Sequence, residues 1–299
     1  MPEELYGLVN SGGASFGSYE TGANEYLIKV LKRRYKVFSG TSVGFFNLGH
    51  LAQYKTEDLE QGIDDLIALW LKVMTPDIHK RWFPLGKVHA LWEQALYNSK
   101  PMREYLGARY DNKKVIASGN RLFAGLVSLE TGKYHLVDEN HPDPLSAFLA
   151  SAAMPVMFLP QQVMLPDKTH KQWCSDGGIH SATPLRAALK AGCTHIDVVL
   201  TEPELIGEQT DFSNTLDVAL RTLNILVHNV FILDLGWTLA ENKLAAAGLS
   251  DKREVHLNII RPSKPLPGDP LQFLPAHAKE LMRLGYTDAE KLFVVREDG

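Results

Sequence analysis

Two short apolar runs, each breaking into glycine and then into a helical stripe, constrain this chain more than any other feature. "LYGLVN" (5–10) leads into "SGGASFG" (11–17), after which Tyr26, Leu27, Val30 and Leu31 form an apolar stripe that reaches about Arg33. "YKVFSG" (35–40) repeats the pattern, turning through "GTSVG" (40–44) into a segment that carries Phe45, Phe46, Leu48 and Leu51. A buried strand feeding a tight glycine turn and a helix is one βα unit, and successive units build a parallel sheet. The expected fold is α/β, a central mostly parallel sheet flanked by helices on both faces.

The rest of the chain fits that plan with one interruption. Residues 56–106 read as helical throughout, with Leu59, Ile63, Leu66, Ile67 and Trp70 at helical spacing and a proline-broken loop at "TPDIHKRWFPLGKV". This segment is the candidate for a cap or insertion within one domain spanning 1–299. Residues 113–137 read as strand and hairpin around the turn signal Thr131-Gly132, and "LSAFLASAAMPVMFLP" as a helix stopped by Pro155. Strand, glycine turn, helix and strand resume from "HKQWCSDGG" to "HIDVVLTE"; a long helix over 214–249, a strand in "EVHLNIIRP" and a closing helix over 275–292 follow.

Composition excludes several classes. The 299 residues are 45% hydrophobic and 22% charged, ordinary for a chain that builds its own core. A net charge of -4, with no basic block beyond "KVLKRRYK" (29–36), gives no reason to propose nucleic acid as a partner; that run suits a helix end. Cys174 and Cys193 allow one disulfide at most and lack metal-site spacing. No H-E-x-x-H pair or calcium loop occurs, so neither a metal nor another cofactor is implied. The N-terminal residues lack the pattern of a signal peptide. The uncharged apolar stretch "TLNILVHNVFIL" (222–233) falls short of the roughly 20 residues of a membrane span. A cytoplasmic protein, soluble or in peripheral contact with a membrane, is expected.

Three features carry chemistry. Gly40-Thr41-Ser42-Val43-Gly44 is a G-x-S-x-G sequence, whose glycines let a serine stand on a sharp strand-to-helix turn with its hydroxyl exposed. With 23 Gly and 15 Ser in the chain, independent placement gives about 0.09 such matches, so the flanking strand and helix are what make it count. Gly12, Gly13, Ala14 and Gly17 lie between the first strand and helix, where bare amides form a nest for a negatively charged oxygen. A dinucleotide site needs a glycine where Ser11 stands. Asp176-Gly177-Gly178 follows a strand; in isolation Asp-Gly reads as a hairpin turn, yet beside a nucleophile a desolvated carboxylate can take the serine proton.

These elements in this order resemble the patatin-like phospholipases, serine lipid acyl hydrolases, over most of the chain. The family's glycine-rich loop resembles Gly12-Gly13-Ala14-Ser15-Phe16-Gly17, its nucleophile motif matches Gly40 to Gly44, and its D-G-G/A motif matches Asp176-Gly177-Gly178. "SAAMPVMFLP" (151–160) resembles its Ser-x-Ala-x-Pro-x-x-Phe-x-Pro segment, and Pro184 its proline after the dyad. The resemblance implies Ser42 as nucleophile, Asp176 as base, and the amides of Gly12, Gly13 and Ala14 as oxyanion hole. Its implied substrate is a lipid ester. Ala14 replaces a glycine and suits the loop with a negative φ. Phe16 replaces a frequent basic residue and Ala182 a frequent asparagine, which favours neutral or small acyl esters over strongly anionic phospholipids.

Two alternatives stand beside this reading. One is a Ser/His/Asp esterase that recruits His228, His256 or His277; a nucleophile so early in the chain argues against it. The other is a non-catalytic lipid-binding or scaffold protein, which the presence of both Ser42 and Asp176 opposes. Trp70, Trp82, Trp92 and Phe83, all within 56–106, read either as lipid-facing aromatics or as side chains packed on the sheet.

Overall fold

The computed structural model describes residues 4–83, 86, 89–166, 168–251 and 253–297. In chain order the elements are β1 (Tyr6–Asn10), α1 (Gly17–Glu25), β2 (Tyr35–Gly40), α2 (Val43–Leu51), α3 (Leu59–Trp70), α4 (Thr75–Ile78), α5 (Lys100–Gly107) and α6 (Asn112–Ser118). Then come β3 (Arg121–Ser128), β4 (Tyr134–Asp138), α7 (Pro144–Ser151), β5 (Gln161–Val163), β6 (Gln172–Asp176), α8 (Leu185–Lys190), β7 (His195–Val199), α9 (Thr215–Ala246), β8 (His256–Ile260) and α10 (Pro275–Glu297). A π-helical turn, Tyr26–Val30, extends α1.

The eight strands form one sheet in the order β5-β6-β3-β2-β1-β7-β8, with β4 also paired to β3. β1, β2, β3, β7 and β8 run parallel, while β4, β5 and β6 pair antiparallel. Alternation along the central strands sends side chains to two cores. Leu8, Phe38, Leu122 and Ala124 join one, with residues of α1, α2, α3 and α10. Val9, Val37, Phe123 and Val198 join the other, with α8 and the Phe231 and Leu235 side chains of α9. Both faces are therefore covered, which is why these strands read as continuous apolar runs. The basic run after α1 is paired: Lys29 meets Glu25 and Asp64, while Lys32 and Arg34 meet Glu60. Cys174 and Cys193 are free and buried.

Three segments depart from the expectations. Residues 112–118 form helix α6 rather than the start of a strand. Asp111 caps it by accepting the Lys113 N–H at 2.9 Å, and Gly119, at φ 75°, ends it. Residues 56–106 are not helical throughout: among the described residues, the helical parts besides α3 are 3₁₀ turns at Thr56–Asp58 and His89–Trp92, the single turn of α4, and α5. Pro84, Leu85, Lys87 and Val88 of the proline-broken loop lie outside the described residues. Finally, the 222–233 stretch belongs to a helix whose Asp217–Ala246 portion is long and apolar enough, by length and composition, to cross a membrane, with 17% of its apolar window buried. Counting only the unbroken uncharged run underestimated it, because isolated charges at its ends do not end a helix.

Candidate active site

Strand register brings the three motifs to one edge of the sheet. Gly40 ends β2 opposite Asn10 of β1 and Ala124 of β3. Two residues further along β3, Leu126 faces Asp176, the last residue of β6. β2 and β6 are separated only by β3, roughly 10 Å between backbones. Chain leaving β1 and β2 and the end of β6 thus meet above this edge.

Ser42 is the turn between β2 and α2. Its backbone sits at φ 56°, ψ -128°, a conformation that costs a non-glycine residue on the order of 1–3 kcal/mol. The turn is fixed on both sides: the Gly44 N–H donates to Thr41 O at 3.0 Å, and the Ser42 N–H donates to the Ser151 hydroxyl at 3.2 Å. Gly44 is required by close approach, since a Cβ there would collide with the backbone oxygens of Ser11 and Asn10. That contact presses the start of α2 against the loop after β1.

The loop itself is braced from below. Thr201 donates its hydroxyl to Gly12 O, and its N–H to the Ser11 hydroxyl at 3.0 Å. A Cβ on Gly13 would strike the Thr201 side chain, and one on Gly12 would approach Ser42 Cβ at 3.3 Å. Ala14 stands at φ 51°, which corrects the expected negative φ: the alanine takes the left-handed conformation of the glycine it replaces, at roughly 1–2 kcal/mol. Among the described hydrogen bonds none has the N–H of Gly12, Gly13 or Ala14 as donor, so these amides remain available.

Asp176 is 6% exposed. Burial pushes its carboxyl up to about 7, opposed by the Gly178 N–H, which donates to Oδ1 at 2.8 Å, and more weakly by the nearby Ser42 hydroxyl, which favours the charged form. Gly177 and Gly178 form the turn that follows. A carboxyl poised near neutrality is suited to take and return a proton.

A cavity of about 640 Å³ includes Ser42, Asp176 and Gly12 to Ala14 in its lining. Most of the wall is apolar, with Phe46, Trp70, Met102, Leu106, Phe148 and Phe158 among its residues. Trp70 is thus a buried wall, its Nε1 donating to Asn47 at 2.9 Å, rather than a lipid-facing aromatic. Trp82 is half-buried, while Phe83 and Trp92 are exposed.

Of the three histidines considered for a triad, His228 lines the cavity, with Nδ1 3.9 Å from Glu202, whose carboxyl is pushed up to about 6 by burial. His256 stacks on His195 at the start of β8, and His277 contacts Pro267 O. No described hydrogen bond joins a histidine to Ser42.

Two features escaped sequence reasoning. Ser151 lies in a segment singled out for its pattern, but its bond to the Ser42 amide depends on α7 packing beside α2. Glu20, on α1, is fully buried and held well above the usual carboxylate range by desolvation. It accepts from Asn47 at 2.9 Å and from Asn10 and Ser11 at 3.4 Å, tying α1 and α2 to the end of β1. No sequence signal separates it from an exposed helical glutamate.

A mostly parallel sheet with a serine on a strained strand-to-helix turn, facing a buried aspartate and a glycine loop, defines a class of α/β proteins. The family model of patatin-like phospholipases matches residues 8–189, more than half of the chain and every motif above. The chain belongs to that family, one of lipid acyl hydrolases. A comparison with curated proteins finds no match. Among solved structures, VipD from Legionella pneumophila is similar at 14% identity and a TM-score of 0.46, over 97% of this chain and 67% of that one.

Proposed function

We propose that the protein hydrolyses carboxylic esters of lipids through Ser42 and Asp176, without a histidine. The carrying observation is the strained Ser42 beside a buried Asp176 whose carboxyl is poised at about 7. Asp176 accepts the Ser42 proton as Oγ attacks the ester carbonyl. The tetrahedral oxyanion is received by the free amides of the Gly12 to Ala14 loop, with Val43 N–H at the start of α2 as a further donor. The alcohol leaves with the proton that Asp176 returns. Water, deprotonated by the same carboxylate, then releases the acyl group from Ser42. Gly17, Gly40, Gly44, Gly177 and Gly178 support the turns that hold these groups.

The apolar wall around Trp70 and Phe148 suits an acyl chain. Phe16 in place of a cation leaves the loop without a positive charge for a lipid phosphate, which favours neutral esters. The test is fluorophosphonate labelling combined with a p-nitrophenyl ester series of rising acyl length. Labelling mapped to Ser42, together with turnover that peaks at a defined chain length, is the expected result. A folded protein that neither labels nor turns over any ester would return the lipid-binding scaffold to first place.

A further inference from the structure

α9 is apolar around most of its circumference, yet the described residues cover only one side of it. Phe231, Leu235 and Thr238 are buried, and Leu220, Leu223, Val227 and His228 face the cavity that holds Ser42. At 100° per residue, Leu226, Leu233, Trp237 and Leu244 fall on a single line directly opposite Leu235. Leu226, Leu233 and Trp237 are 58%, 60% and 63% exposed. With Thr222 and Asn229 on one flank and Glu241 on the other, this outward stripe runs for roughly 27 Å and carries no cation. A helix apolar on both sides is ordinarily enclosed by protein or lipid, so the uncovered side requires an apolar partner.

We infer that the outward stripe of α9 docks this protein onto a zwitterionic lipid surface, laying the helix in the interface with its inner side kept on the domain. The inference rests on the proposed lipid substrate. Three observations favour lipid over a second copy of the chain. First, the same helix walls the reaction cavity, and its half-buried Leu223 belongs to that lining one turn before Leu226 and about 60° around the helix from it. The apolar stripe therefore adjoins the rim through which a lipid would enter. Second, the segment leading into α9 adds Leu205, 80% exposed, and Phe212, close in sequence to the rim residues Glu208 and Gln209. Third, an outward indole on Trp237 matches the wet-edged aromatics of membrane interfaces.

The stripe has no cation and the chain carries a net charge of -4, so attachment comes from apolar insertion and not from attraction to anionic lipid. α9 does not cross the bilayer: Phe231 and Leu235 belong to the core beneath the sheet, and a spanning helix cannot keep one side there.

The test is sedimentation of the full chain with phosphatidylcholine vesicles at low and high salt, for wild type and for Leu226→Glu/Leu233→Glu/Trp237→Glu. Wild type should bind with little salt dependence. The triple variant should lose at least tenfold in partitioning while hydrolysing a soluble short-chain ester at the wild-type rate, since none of the three residues lines the cavity. The milder Leu233→Asn/Trp237→Ser pair, checked by thermal melting, covers the case in which three charges unfold the helix. Wild type that stays in solution, or variants that bind undiminished, would overturn the inference. So would a wild-type dimer that these variants convert to monomer without any vesicle binding. Vesicle binding without ester turnover would leave the docking face standing and sink the catalytic reading instead.

Discussion

α2 and α9 are built from similar material and put to opposite use. α2 carries no charged side chain, its His50 being pushed down to about 4 by burial, and seven of its nine residues are buried. The middle of α9, Thr222 to Leu233, also lacks charge apart from His228, yet much of it faces outward. The difference lies in what each helix abuts. Gly44 lets α2 press onto the backbone after β1, and α3 and α7 close over it. α9 follows the far side of the sheet, with one flank on the core and, among the described residues, nothing over the other. Apolar sequence alone therefore does not distinguish a helix that fills a core from one that awaits a partner.

The sharpest way to break the comparison is to crowd α2. Gly44→Val would drive a side chain into Ser11 and Asn10 backbone oxygens; loss of soluble, folded protein is expected, read by circular dichroism, whereas an undisturbed fold would refute the close approach. Leu48→Ala, at a fully buried position, should cost about 2–5 kcal/mol in denaturant unfolding. Ser151→Ala removes the acceptor of the Ser42 amide and should cost roughly 1 kcal/mol of stability, with kcat falling more than KM changes because the turn bearing Ser42 loosens. At the small end, Leu244→Gln on the outward side of α9 should stay within about 0.5 kcal/mol of wild type. A loss as large as that of Leu48→Ala would show that α9 is part of a core after all.

The same contrast explains what could be read from the sequence. The turns around Gly12, Ser42 and Asp176 were legible because each is local: a few glycines between a strand and a helix permit only sharp geometry, whatever surrounds them. Sheet and layers followed from repetition of those units. Ala14 shows the limit, since its positive φ follows from the loop it sits in rather than from its own preference. Apolar alternation hides α6, although Asp111 and Gly119 bracket it as a cap and a stop. The Ser151 bond, the Glu20 network and the placement of α9 beside the cavity join residues distant in the chain, and no local pattern encodes them.

The central claim is that Ser42 and Asp176 form the reacting pair. The direct measurement is the rate of p-nitrophenyl ester hydrolysis against pH for wild type, Ser42→Ala and Asp176→Asn, each confirmed folded. A base raised to about 7 is protonated and idle below that pH, so wild-type activity should climb with pH and reach half its plateau near 7. Both variants should lose turnover on the order of 10⁴-fold or more. Full activity in either variant, or a wild-type profile flat from pH 5 to 9, would contradict the dyad.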